Sequence, residues 1–526
     1  MGRGPPSAAR SKQARLTAGV PASILPASSE TADGAPAVES PSPRAARVSR
    51  DVRSVSSSIL FGLAISAVRS ILLFRILPRV ALGAWKTAMI ADTASEFARL
   101  GVNRGLEVRV PQLDSRGESE AAAAVIATAA TFSLGLGVVY GLLVFAAGWM
   151  VRGPELRTAL WALALIIAVL QPYFFLRDLA YARQRFALRT RENVLRSAAD
   201  AVVAVAGAAM FGLAGLGAGT ALVVVASALY LMRAQAFRFQ RRFSWRRLCT
   251  MIRIGFPYSL TEGAFEFLRR LDVLMIAVLL GSESVGYYGI SLLVLDTAST
   301  VARRGVSQVL SSHLMHAYGR SGSHRAVAGY FEAPARLFSY VLPPLLGAGS
   351  FFVGDFVRLV LPQYAAGIRA AEVTMWSIFF VAMHATLSSF FVAAARIKLT
   401  LKYFLVVMPV AAAAQWAVAR AGFGIVGVAW TTVGALALVS AGEMAMARTS
   451  CGYTKLQTLR FLAVTYLPVA LAIPMRFVVE AMGAPSSLPQ WAMPLARALA
   501  FLAFLAPLVV VYEFRFSMLR WVRRAR

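Results

Sequence analysis

The chain has 526 residues, 58% of them hydrophobic, a mean hydropathy of +0.64 and a formal charge of +29. Soluble domains average about 45–50% apolar residues, so this composition excludes an ordinary water-soluble protein and calls for a bilayer. Two cysteines, Cys249 and Cys451, support no disulfide framework or cysteine-based metal set. Neither a G-x-x-x-x-G-K-[ST] phosphate loop nor an H-E-x-x-H metal motif is written in the sequence.

Residues 1–53 are rich in Ala, Ser, Pro and Arg and hold no apolar run long enough for a secretion signal. Such a segment cannot bury enough apolar surface to offset ordering entropy, so it is expected to be a disordered cytoplasmic tail. Beyond it the chain divides into about fourteen apolar spans, since roughly 20 residues cross a hydrocarbon core. They lie near 54–77, 83–106, 121–150, 157–177, 192–212, 215–233, 255–280, 285–313, 334–361, 365–394, 400–420, 423–447, 458–480 and 490–513. The fold class is therefore all-α: a polytopic membrane protein with two pseudo-symmetric lobes and a C-terminal helix pair.

Charge is distributed by loop. The segments "RDLAYARQRFALRTRENVLR", "RAQAFRFQRRFSWRRLCTMIR", "AARIKLTLK" and "EFRFSMLRWVRRAR" are basic, whereas "GLAGLG", "GSESVG", "PQYAAG" and "AGFG" carry no Lys or Arg. Lys and Arg collect in cytoplasmic loops, so the net charge reads as topology and not as a nucleic-acid surface, with both termini cytoplasmic. The expected organisation is a tail (1–53), a first lobe (54–233), a basic cytoplasmic linker (234–253), a second lobe (254–447), and a last helix pair with a basic end (448–526).

The second and eighth spans are the least hydrophobic, and they repeat one another. "DTASEFARLGVNRGL" (92–106) and "DTASTVARRGVSQVL" (296–310) are identical at nine of fifteen positions. Six spans separate them, so both run the same way through the membrane. Parallel repeats of this kind relate two lobes by an axis along the membrane normal, with a site between them. On one continuous helix Asp92, Glu96, Arg99 and Asn103 fall within about 60° of arc; Asp296, Thr300, Arg303 and Ser307 occupy the equivalent stripe, with Arg304 at its edge. The seventh span adds Glu262, Glu266, Arg269 and Arg270, with Asp272 on the flank, and the first adds Arg69.

Each such charge costs about 2.5–3.5 kcal/mol at mid-helix on insertion scales. The set must face a water-filled cavity or be paired, which leaves two readings open: a polar central cavity, or neutralising pairs at i+3, i+4 and i+7 that latch the lobes. Weaker signals take structural readings. Tyr287 and Tyr288 are expected as interfacial aromatics, Pro172 and Pro343-Pro344 as helix bends, Asp355/Arg358 as a surface pair, and His384 as a packed, hydrogen-bonded histidine. No cofactor or metal is expected.

The stretch "IRIGFPYSLTEGAFEFLRRLDVLMIAVLLGSESVGYYGISLLVL" (252–295) resembles the start of the second lobe in polysaccharide transporters. These form a branch of the multidrug/oligosaccharidyl-lipid/polysaccharide flippase superfamily. Gly255 and Pro257, Asp272, Leu280-Gly281 and Val285-Gly286-x-Tyr288 carry the likeness, and "RILPRVALGAW" and "LGVNRGLEVRVPQ" look like the first-lobe counterparts. The likeness spans about residues 54–515. It implies a Wzx-type flippase that moves polyprenyl-diphosphate-linked oligosaccharides across the bacterial cytoplasmic membrane by alternating access. Its partners would be that glycan, membrane lipids, and a polysaccharide polymerase or glycosyltransferases.

Carried over, Arg69, Arg99, Arg269, Arg270, Arg303 and Arg304 become candidates for the diphosphate, which suits the bidentate guanidinium. The acids Asp92, Glu96, Glu262, Glu266, Asp272 and Asp296 become ion-coupling or lobe-latch residues. Six bases against six acids depart from a plainly cationic cavity. That balance keeps a cation-coupled multidrug antiporter of the same superfamily in play, beside a peptidoglycan-precursor flippase. A polyprenyl-linked glycosyltransferase or polymerase would want a sizeable catalytic loop, and every loop after residue 53 is short, so no enzyme is expected.

The loop pattern sets a topology test. Cysteine labelling is expected to report the periplasm at Ser282 and Ser486 and the cytoplasm at Ser244 and Thr454; two of these four on the opposite side would undo the lobe assignment.

Overall fold

A computed structural model describes residues 61–516 apart from 241, 302–313, 315–317, 319–322, 395, 483–488 and 490–491. It is a bundle of helices, and no strand occurs among the described residues. In chain order these are α1 (61–76), α2 (Arg79–Ala98), α3 (Val102–Ser115), α4 (Ser119–Met150), α5 (Pro154–Ala182), α6 (Phe186–Ala234), α7 (Trp245–Leu279) and α8 (Ser282–Val301). There follow α9 (Gly329–Val360), a 3₁₀ turn (Pro362–Gly367), α10 (Ile368–Thr374), α11 (Ser377–Ala393), α12 (Ile397–Arg420), α13 (Gly424–Ser450), α14 (Lys455–Met482) and α15 (Met493–Phe516).

Seven of these are long and apolar enough to cross a membrane, or eight with Pro362–Thr374 and Ser377–Ala393 counted as one span bent by 46°. The expected spans 192–212 and 215–233 both lie in α6. Non-helical backbone at Phe211 and Gly212 (φ 59°) reverses the chain there, and Gly207 and Gly219 pack back against Gly215 and Ala204. With α6 counted as this hairpin, each expected span has its helix. Those outside the seven include α2, α7 and α8, which hold the charged residues. Pro172 and Pro343-Pro344 lie inside α5 and α9, which continue through them as helix. On α4, Val138, Leu142, Phe145 and Trp149 expose one apolar face, an arrangement suited to lipid.

The second span departs from expectation. It is broken at Leu100 (φ 51°) and Gly101 (φ 73°), so α2 and α3 are two helices and the stripe from Asp92 to Asn103 is not continuous. Glycine makes the break possible, because it alone enters the left-handed region without a Cβ clash.

Besides a shared apolar core that packs α1 and α2 with Ile290, Val357 and Tyr364, two seams built on glycine join the halves of the bundle. Gly83 of α2 lies against the Ser282 carbonyl of α8, and Gly286 against the Arg79 carbonyl. At the far end of α7, Gly101 and Gly255 meet backbone to backbone, and Gly105 lies on Met251. The α3–α7 seam thus advances four residues at a time in opposite directions along the two helices, as antiparallel helices in close contact require. Cores on either side reflect this: Leu248 and Met251 of α7 pack with α3 to α6, whereas the rest of α7 from Ala264 onward packs within the second half.

A side chain at Gly101 would need both a left-handed backbone and space that the Gly255 backbone occupies. Gly101→Ala is expected to lower the thermal unfolding midpoint of the purified protein by several degrees, at a cost of about 1–3 kcal/mol. Gly135→Ala, with nothing within 4 Å of the added carbon, should leave the midpoint unchanged or raise it. Equal effects at the two positions would refute the seam.

Candidate functional site

α7 and α8 fold back on each other through Leu280 and Gly281 (φ 87°), and their middles bring four expected residues together. Arg269 is 4% exposed. It donates to Glu266 and to Asp296, each at 3.1 Å, and to Ser299 at 3.3 Å. Arg270 donates to both oxygens of Asp296, at 3.0 and 3.1 Å. Asp296 is therefore held by two guanidiniums, yet its side chain keeps 32% of its surface open.

α2 supplies a residue absent from the expected set. Lys86 stands within electrostatic reach of Asp296, Arg270 and Arg69. A lysine in the middle of an apolar span was its sequence signal, but it lies about 120° round the helix from Asp92, outside the stripe.

The first half builds its own pair. Glu96 and Arg99 meet at 2.7 Å in the last turn of α2. Arg99 also donates to Gln171 of α5 at 2.8 Å and stacks over Phe174 at 4.0 Å. Asp92 is placed between the two clusters, within reach of Arg99, Glu96 and Arg270. Its Oδ1 is buried with no hydrogen-bond partner among the described residues. The repeat has thus diverged in use: Asp296 is doubly paired where its counterpart Asp92 is not.

Other expected residues sit apart from this centre. Arg69 pairs with Asp200 of α6 at 2.9 Å. Glu262 pairs with Arg104 of α3 at 3.3 Å across the seam. Asn103 donates to Asp178 of α5 at 2.9 Å, because the break at Leu100 takes it off the α2 line. Asp272 is fully buried and accepts from the Tyr288 hydroxyl and the Val273 amide, both at 2.7 Å. Tyr288 is accordingly a buried donor, not the expected interfacial aromatic; α13 closes over the pair, with Thr432 at 3.5 Å from Asp272. Arg303 and Arg304 lie outside the described residues.

Two lesser expectations hold. His384 is buried, with its Nδ1 2.7 Å from Glu443 and its ring stacked on Phe265 at 3.6 Å. Asp355 and Arg358 form an exposed pair at 3.0 Å. The two cysteines are free. No group of three metal-ligating side chains occurs among the described residues.

The central cluster of α2, α7 and α8 is bracketed along those helices by the two glycine seams. Its chemistry is that of an exchangeable ion pair: cations neutralised by carboxylates that remain partly open, in a setting where an unpaired charge is costly.

A family model described as "Polysaccharide biosynthesis protein" matches residues 72–364, a span that contains the whole central cluster. No curated protein matches the sequence. Among solved structures, an inward-facing multidrug resistance MATE family transporter of the MOP superfamily superposes with a TM-score of 0.59 at 14% identity, over 76% of this chain and 98% of that one. The lipid II flippase MurJ, in an inward closed conformation, gives 0.59 at 13% identity over 90% of this chain and 99% of that one. A MOP superfamily transporter from Pyrococcus furiosus, reported to have a binding pocket of reverse polarity, gives 0.51 at 16% identity over 79% and 96%. At these identities the likeness is one of fold.

Truncating Arg269 removes a buried guanidinium from between Glu266, Asp296 and Ser299, and breaking a buried pair costs on the order of 3–5 kcal/mol. Arg269→Ala is expected to lower the thermal midpoint well below that of Arg270→Ala, because Arg269 is the more buried and bonds Glu266 and Ser299 besides Asp296. The reverse order of stabilities would contradict the assigned partners.

Proposed function

The chain belongs to the polysaccharide biosynthesis protein family, and on that premise we propose that it flips a polyprenyl-diphosphate-linked oligosaccharide across the bacterial cytoplasmic membrane by alternating access. Residues 54–233 and 254–447 act as the two lobes, and the central cluster between them takes the diphosphate. The observation that carries this reading is the shared carboxylate: Asp296 holds Arg269 and Arg270 while staying accessible. A diphosphate entering the cluster replaces Asp296 at Arg270 and draws Lys86, so binding exchanges one anion for another and leaves no guanidinium desolvated. Arg269, the more buried of the two, keeps Glu266 and positions its neighbour.

Exchange of this kind supplies a reason for conformational change. An anion that binds one arrangement of the cluster better than the other shifts the equilibrium by that difference. One seam then parts while the other stays closed.

A second reading, the cation-coupled multidrug antiporter, is favoured by Asp92, whose buried unpaired oxygen suits a proton or another small cation. The two readings diverge in assay. In cells lacking the chromosomal copy, Arg270→Ala is expected to cut surface glycan export about tenfold to a hundredfold, the loss of charged hydrogen bonds, with Arg270→Lys intermediate. Near wild-type export from the double change Glu266→Ala with Arg269→Ala would leave Arg269 no role in positioning Arg270 for the substrate. Energised efflux of a cationic dye that Asp92→Asn abolishes, with glycan export absent throughout, would replace the flippase with the antiporter.

A further inference from the structure

The α3–α7 seam continues past its glycines. Gly101 faces Gly255, Gly105 faces Met251, and one further step of four residues along each helix sets Arg109 against Arg247. Both arginines line one pocket of about 150 Å³, with Leu113, Glu118, Thr250 and Met251 among the other walls. The pocket opens where the glycines stop holding the helices together. Two like charges facing across a helix contact repel, and neither guanidinium is ion-paired with a carboxylate among the described residues. Glu118 shares the pocket but is not within ion-pairing distance of either.

We propose that this pocket binds a phosphate-class anion, which bridges Arg109 and Arg247 and clamps that end of the seam. Two guanidiniums presented from opposite sides match the several acceptor oxygens of a phosphate, each through charge-assisted hydrogen bonds. The Met251 contact with Gly105 lies one turn away, so anion occupancy acts directly on the α3–α7 crossing. Without the anion, repulsion between the arginines favours parting; with it, the same residues hold the helices together. The Arg104–Glu262 pair, in which Arg104 also holds Glu107 at 2.9 Å, lies on the other side of the glycine contact along α7. The site is distinct from the central cluster and does not rest on the glycan reading: a lipid headgroup and a free or carrier-borne phosphate share its chemistry.

The test uses the full chain in nanodiscs at low salt. One spin label is carried by the exposed native Cys249 and a second by Ser115→Cys, one on each helix flanking the pocket. In neutral phosphatidylcholine discs, added inorganic pyrophosphate is expected to shorten the label separation; closure in phosphatidylglycerol discs with no pyrophosphate assigns the anion to the lipid instead. Either result supports the site. R109Q combined with R247Q should lose the response and at least tenfold in pyrophosphate affinity, and E118Q, which removes the competing carboxylate, should gain affinity several-fold. R247E, which gives Arg109 a carboxylate, should close the seam with no anion present. Labels that respond to neither anion, a double variant that responds like the parent, or an R247E seam that stays open would each overturn the proposal.

Discussion

Asp296 is the constraint on which the middle of the bundle depends. It sits on α8 inside the bundle, where a carboxylate without partners would lose most of its solvation. Two guanidiniums from α7 answer that loss together. Their positions follow from it: Arg269 must turn inward to reach Asp296, Glu266 and Ser299, and Arg270, the next residue, reaches the same carboxylate from the rim. Because α7 and α8 are thereby fixed to each other, the glycine contacts on their remaining faces are free to serve a different purpose, the joining of the two halves.

That division explains why small residues gather where they do. In a lipid setting there is little hydrophobic drive for helices to associate, so close packing and hydrogen bonds carry much of it. Gly83, Gly286, Gly101, Gly105 and Gly255 allow backbones to touch, and Arg104–Glu262 adds a polar tie. Two buried ion pairs elsewhere stay within one half. Arg476 meets Glu372 at 2.7 Å and joins α14 to α10, and Arg448 pairs with Glu332 while lying between Tyr453 and Phe461.

The helices were legible in the sequence because hydropathy and loop charge need no tertiary knowledge. The same is true of the central acids and bases as a group, since a charge inside an apolar span is conspicuous by its cost. Their pairing was legible only along a single helix, where Glu96–Arg99 and Glu266–Arg269 are pairs at i+3; the pairing between helices was not. Arg69 finds Asp200 and Asn103 finds Asp178 across long stretches of chain that no helical periodicity connects. The break in the second span turned on Leu100 adopting a left-handed backbone, a conformation its side chain disfavours. Tyr288 read as a membrane-surface aromatic because its partner Asp272 lies one helix away and its cover, Thr432, much further along the chain. The match to 72–364 takes in both repeats and the stretch 252–295, so the local likeness and the family agree on where the distinctive residues are.

The four-residue pitch of the α3–α7 seam has a mechanical corollary. If either helix slid along the other by a single residue, Gly101 would no longer face Gly255, and a side chain would be driven into backbone. Translation is thus blocked by steric interlock, while rotation about the contact point is not. The glycine pair behaves as a fulcrum, with α3 and the first turns of α7 as short lever arms and the remainder of α7 as the long one. For any rotation about that contact, Glu266 and Arg269, further along α7 than Arg247 is on the other side, would travel the longer arc.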